Sequence, residues 1–323
     1  MKKTALKRAL AALMTLSLAL CLTACQNTDG GEKDKLSVAC SIFPVYDFAR
    51  EIAGTKADVY LLLPTGTDSH EYEPSVGDMV ALDKTDLFIY TDGEMEIWAD
   101  DLSKGFNHAR PFRCAEGIDL EQLNEEWEEQ EHEADADHDE HEAHSHHHRY
   151  DAHIWLDPTL AAVMCENIAR YLSAADPQNA EYYSQNLTRL TDELTQLDAE
   201  FSALFARHPD AVLCFGGEFA YSHFLRHYGV SFISAYDSCG ENEEVNLARL
   251  ILMTKRMRDT GAAYIFTDEH SQGLIAKQIS EETGAKIELF HTLHSVSRDE
   301  MNLSYIELMQ RNYRAVARSL GEE

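Results

Sequence analysis

Residues 121–149 read EQLNEEWEEQEHEADADHDEHEAHSHHHR, seven histidines set among carboxylates. Imidazole nitrogens are borderline-soft donors that suit zinc, copper or nickel, and dense carboxylates attract any cation. His132, His138, His141, His144, His146, His147 and His148 therefore read as an accessory metal-capturing group. The tract has almost no apolar residues, so it cannot build a core and is expected to be disordered without metal. The plainer alternative is a solvated linker of acidic composition.

Histidines outside the tract bear more directly on a defined site. His70 follows the apolar run DVYLLLP, His153 precedes Ile154-Trp155, and His291 ends the run KIELF. Ligands in α/β folds gather at the ends of parallel strands. Three imidazoles from separate loops could converge there, and a carboxylate could complete a tetrahedron around zinc.

The elements that must position these residues alternate. KLSVAC reads as a strand, a Phe-Pro turn and a helix follow, DVYLLLP is a second strand, and Val76 to Lys84 a helix before the strand DLFIYTD. A helix is expected from Pro158 to about Ala174. After Arg207, AVLCFGG, SFISAY, AAYIFTD and KIELFHTL read as strands separated by helices, with a last helix over Met301 to Leu320. This alternation predicts an α/β fold of two domains with parallel sheets flanked by helices. Between them Leu187, Leu190, Leu194, Leu197, Phe201 and Leu204 form an apolar stripe on one long helix. A coiled-coil dimer would give the same stripe, but a single backbone helix packed along both domains is the preferred reading. The expected division is 1–24 signal peptide, 25–35 tether, 36–176 first domain with the 121–149 insertion, 177–207 linking helix and 208–323 second domain.

Lys2, Lys3, Lys7 and Arg8 precede an apolar run from Ala9 to Leu22 that is too short to span a bilayer comfortably. The run ends in Leu-Thr-Ala-Cys, which resembles a bacterial lipoprotein box with Cys25 as the lipidated residue. The mature chain is thus expected outside the cytoplasm, tethered to the membrane by a lipid. A formal charge of −30 argues against nucleic acid as a partner. Cys40, Cys114, Cys165, Cys214 and Cys239 show no CxxC spacing, which argues against a thiolate zinc cluster; Cys214 with Cys239 is the expected pair if a disulfide forms.

SHEYEPSVGD resembles the first-ligand loop of the zinc/manganese solute-binding lipoproteins of bacterial ABC importers. DLFIYTDGEMEIWADDL is similar to the segment after it, and DAHIWLDP to their second-ligand segment. The acidic histidine-rich insertion falls between the two, as in zinc-type members, and the resemblance extends over essentially the whole mature chain.

The resemblance carries His70 and His153 over directly as metal ligands. The family's third ligand, a histidine opening His-x-x-Phe, falls on Glu218 when counted back from Tyr228-Gly229-Val230. Glu218 is preferred there, with His223 and Glu244 as alternatives. The family's fourth, acidic ligand falls on His291, with His294 as an alternative or a supporting residue. Asp151 or Asp157 could orient an imidazole, although Asp157 before Pro158 also suits a helix N-cap.

Three nitrogens and one carboxylate favour Zn2+ over Mn2+. The resemblance therefore implies a monomeric, lipid-anchored, high-affinity zinc receptor that delivers its ion to an ABC-transporter permease. It implies no catalysis. A manganese receptor of the same class is the alternative. A zinc hydrolase is the alternative of another class, with Glu218 as base, but no HExxH is present. An adhesin or extracellular metal buffer would differ only in its partner.

Overall fold

The computed structural model describes residues 35–70, 72–102, 109–120, 151–236, 247–271 and 273–322. The histidine-rich tract, Cys25, Cys239 and Glu244 lie outside these residues.

In the first half, the buried run of β1 (Leu36–Cys40) is flanked in parallel by β2 (Ala57–Leu61) and β3 (Leu87–Tyr90), and β4 (Arg110–Arg113) lies beyond β3. β1 is hydrogen-bonded on both sides, and Val38, Ala39 and Cys40 are fully buried, as expected for a central parallel strand. β4 went unread in the sequence. It has four residues, two of them arginine, and Pro111 is tolerated because this strand sits at the sheet edge. The crossover helices are α1 (Phe43–Ala53), α2 (Val76–Leu82) and α3 (Ile97–Leu102). α2 opens on a capping box in which Ser75 and Asp78 satisfy each other's backbone N–H groups.

A single turn of 3-10 helix, Ile154–Leu156, leads into α4 (Pro158–Ala175). The Asp157 side chain accepts from Thr159 N–H and Pro158 fills the first helical position, so Asp157 is a helix cap. After a 3-10 turn at Pro177–Asn179, α5 (Ala180–Arg207) runs for 28 residues, or about 42 Å at 1.5 Å per residue. Its buried face is Tyr183, Leu190, Leu194, Leu197, Phe201, Leu204 and Phe205, with Leu187 half-buried at its margin. This helix packs against α1 and α4 of the first half.

The second half repeats the topology. β5 (Val212–Phe215) is central, β6 (Ser231–Ser234) and β7 (Tyr264–Thr267) flank it, and β8 (Lys286–Leu289) lies beyond β7. Its helices are α6 (Ser222–Tyr228), α7 (Leu247–Thr260), α8 (Leu274–Thr283) and α9 (Tyr305–Ser319). α9 starts later than the expected Met301 because Ser304 and Glu307 form a second capping box. α5 also packs against α6 and α9. The fold is therefore two parallel-sheet α/β halves joined by a long helix.

The largest core cluster draws on both halves, with Phe43, Trp155, Phe201, Phe224, Phe290 and Tyr305 all in it. Cross-half hydrogen bonds reinforce it. The buried Tyr305 hydroxyl donates to Trp155 O at 2.5 Å, and Asp47 accepts from Tyr305 N–H at 2.7 Å. Cys40, Cys114, Cys165 and Cys214 are buried and free. Burial pushes the first three thiols up, so they behave as core residues. Among the described residues, no helix is long and apolar enough to cross a membrane.

Candidate metal centre

Both sheets point the C-terminal ends of their strands at the same region, and the histidines gather in the loops there. After β2 the chain turns through Gly66 at φ 74°, a conformation that glycine adopts without a Cβ penalty. Gly66 N–H donates to Val296 O at 2.9 Å, tying this loop to the one that follows β8. Asp68 Oδ1 accepts from His70 N–H at 2.8 Å, which fixes the backbone that presents His70.

His153 sits at the mouth of the 3-10 turn. Asp151 Oδ1 takes both its backbone N–H, at 3.0 Å, and its ring Nδ1–H, at 2.7 Å. Burial works against the Asp151 charge, but His153 and then His223 outweigh it and hold the carboxyl well below its usual range. With Nδ1 turned to the carboxylate, His153 directs Nε2 towards the neighbouring histidines. That Nε2 lies 3.2 Å from Nε2 of His70. Zinc–nitrogen bonds of about 2.05 Å in a tetrahedron place neighbouring nitrogens about 3.3 Å apart.

The third imidazole is His294. One ligand atom each from His70, His153 and His294 lie within 4.8 Å of one another. Their ring centroids are 5.2, 5.5 and 6.0 Å apart, with the rings inclined at 54°, 79° and 49°. Imidazoles radiating from one tetrahedral ion have centroids about 5 Å apart. His294 is 1 % exposed, and burial, assisted by the neighbouring histidines, holds its pKa well below the ordinary histidine value despite Glu269. The ring is thus neutral. Its Nδ1 faces Thr292 Oγ1 at 3.0 Å, and the Thr292 hydroxyl donates to Glu269 Oε1 at 2.6 Å. The hydroxyl proton is committed to Glu269, so Thr292 accepts Nδ1–H and leaves the Nε2 lone pair of His294 available.

His291, assigned by sequence reasoning as a ligand, faces elsewhere. Its Nδ1 is 3.0 Å from Glu269 Oε1 and its Nε2 3.7 Å from Glu300 Oε2. Burial disfavours its charge, yet Glu269 and Glu300 together raise its pKa to about 9. Leu293 N–H donates to Nδ1 at 2.9 Å, so Nδ1 is held between that amide and Glu269. His291 belongs to neither metal-compatible group found among the described residues.

The physical reason for the exchange of roles lies between the two histidines. Leu293 is buried with φ 65°, and among the described residues it is the one non-glycine with positive φ. This left-handed residue costs about 1–2 kcal/mol and reverses the chain between His291 and His294. Mooring holds the turn in place. Asn312 bonds both His291 N–H and O at 2.8 Å, Trp155 Nε1 donates to Thr292 O at 2.8 Å, and Phe43 N–H donates to His294 O at 3.4 Å.

The other assigned residues also stand apart from the triad. Glu218 is half-buried; its N–H donates to Asp268 Oδ2 at 2.9 Å, and it belongs to neither metal-compatible group found among the described residues. His223 directs Nε2 at Asp151 O, 2.7 Å away. Sequence reasoning missed Glu269 and His270, which form with His294 the second such group. The signal was present, because Glu269-His270 directly follow the run AAYIFTD, the same strand-end logic that picked out His70.

The family profile described as "ZnuA: Zinc-uptake complex component A periplasmic" matches residues 38–319. The chain is 31% identical over 310 residues to the high-affinity zinc uptake system protein ZnuA of Bacillus subtilis (strain 168), covering 93% of this chain and 94% of that one. It is 28% identical to the zinc-binding lipoprotein AdcA of Streptococcus pneumoniae (strain R6), over 96% of this chain but 61% of AdcA. The crystal structure of the metal-dependent lipoprotein YcdH from Bacillus subtilis superposes with a TM-score of 0.72 at 26% identity, covering 88% of this chain and 99% of that one. The arrangement of two like sheets and a long joining helix is thus shared with these proteins, and the chain belongs to the ZnuA family of zinc-uptake complex components.

Proposed function

We propose that this chain is an extracytoplasmic receptor that captures Zn2+ through Nε2 of His70, His153 and His294 and delivers it to an ABC-importer permease. The convergence of three imidazoles from three separate loops carries this reading, since their spacing matches a tetrahedral zinc shell. Imidazole nitrogens oriented by Asp151 and Thr292 favour zinc over Mn2+, which prefers more oxygen ligands. The names of the similar ZnuA and AdcA proteins support the same cargo.

The role is one of binding and release, without a chemical step. Attachment through a lipid at Cys25 and action as a monomer complete the proposal, together with the 121–149 tract as an accessory zinc collector. Calorimetric titration with zinc tests it. One tight site is expected in the wild-type protein and none in His70→Ala or His153→Ala. Wild-type affinity in either variant would reject the triad. Anomalous scattering at the zinc edge, from crystals grown in mixed metals, would identify the preferred ion.

A further inference from the structure

We propose that His270 supplies the fourth ligand through Nε2, so that the cargo ion is held in an all-imidazole shell; this rests on the triad of His70, His153 and His294. Sequence pattern alone puts a carboxylate in that position. The geometry around β7 and β8 favours a histidine.

His270 lies in the loop 268–273, between β7 and α8, directly beside the loop that carries His294. Its backbone is fixed. Asp268 Oδ1 accepts from His270 N–H at 2.8 Å and from Ser271 N–H at 2.6 Å, while Asp268 Oδ2 holds Glu218 N–H. The ring lies flat on His294, with centroids 4.8 Å apart and planes inclined by 9°. Its Nε2 is buried and, among the described residues, has no hydrogen-bond partner; the same holds for Nε2 of His294. A buried polar nitrogen left without a partner is destabilising. Two such nitrogens on stacked rings beside a metal-compatible triad are accounted for if both are ligands.

The competing donors are already engaged, including Asp68, whose Oδ1 lies 4.0 Å from His294 Nε2 and holds His70 N–H. Glu269 accepts Thr292 O–H and N–H on its two oxygens and faces the His291 ring with one of them. His223 Nε2 is taken by a backbone carbonyl. Glu218 stands outside both metal-compatible groups. Two parallel stacked imidazoles cannot both radiate from one tetrahedral ion, so His270 must turn about its side-chain torsions to coordinate. It has room to do so, since its side chain is 16% exposed whereas that of His294 is 1% exposed. His270 is therefore the last ligand to close over the ion and the first to open. A shell of four neutral nitrogens leaves the ion's full charge uncompensated, which disfavours hard cations further.

X-ray absorption at the zinc edge, on full-length protein loaded with one equivalent of Zn2+, tests this. Four imidazoles are expected in the wild type, and three imidazoles with one oxygen in His270→Ala. Chelator competition should show His270→Ala weaker by at least the ~10–100-fold that loss of an outer-shell partner costs. Its metal-free melting temperature should be unchanged or higher, because the unpartnered nitrogen is gone. His270→Gln should share the loss of affinity, and Glu218→Gln should match the wild type. A four-imidazole spectrum and unchanged affinity in His270→Ala would overturn the proposal, as would loss of the fourth ligand in Glu218→Gln. Either result leaves the receptor reading intact, whereas wild-type binding in His70→Ala would remove both.

Discussion

Thr292 Oγ1 stands 3.0 Å from Nδ1 of His294 and donates its own hydrogen bond to Glu269. This two-bond relay sets which nitrogen of His294 is free for a metal, as Asp151 does for His153. Thr292→Val keeps the shape but removes the acceptor. Zinc affinity should fall by about 10–100-fold, and metal-free stability by about 1–2 kcal/mol for the lost hydrogen bonds. Thr292→Ser should recover most of both. Chelator competition and thermal unfolding read the two effects, and unchanged affinity in Thr292→Val would show that His294 needs no such orientation.

The 121–149 tract is predicted to be dispensable for the tight site. All three triad histidines lie in loops moored to the two sheets, and Asp68, Asp151 and Thr292, which hold them, belong to those same loops. A chain lacking residues 121–149 should keep one tight zinc site and lose several weaker ones in calorimetry. Disappearance of the tight site would place essential ligands in the tract instead.

Strand ends and motif order made His70 and His153 legible, because His70 follows a strongly patterned strand and His153 opens the local motif DAHIWLDP. His294 was harder, since choosing between it and His291 requires knowing that Leu293 adopts φ 65°. Nothing in leucine's propensity suggests that; the turn is held by Trp155, Asn312 and Phe43, which are distant in sequence. His270 required the pairing of β7 with β8, which sets its loop beside His294. The α/β architecture and the long helix were legible from periodicity, whereas the edge strand β4 was hidden by its shortness and its arginines.

Gly217 ties the second sheet to the His270 loop. A Cβ added there would sit 2.2 Å from Asp268 Oδ2 and 2.9 Å from the Asp268 backbone nitrogen. Gly217→Ala must therefore displace the residue that organises loop 268–273. A loss of about 1–3 kcal/mol in stability is expected from such overpacking, together with weaker zinc binding, while the coordination of His70 and His153 is retained. Thermal unfolding with and without zinc separates the two effects. A variant with wild-type affinity would show that this loop does not contribute to the shell.

His291 gives the metal-free protein a pH dependence of defined sign. Its pKa is raised from 6.5 to about 9, because Glu269 and Glu300 outweigh the cost of burial. A raised histidine pKa means that the folded state binds a proton that the unfolded chain releases. The contribution is fully present below pH 6.5 and is lost as pH rises towards about 9. Its size is on the order of 3 kcal/mol at most. Its neighbour Glu300, lowered to about 2 chiefly by the His291 ring 3.7 Å away, acts in the opposite window. Its contribution is present above the ordinary carboxylate pKa and is lost as pH falls towards 2. In chelator, the melting temperature should therefore decline between pH 6.5 and 9, and His291→Gln should be destabilised at pH 6.5 and lack that alkaline decline. A wild-type melting temperature that holds or climbs up to pH 9 would mean His291 is neutral, and would return it to consideration as a metal ligand.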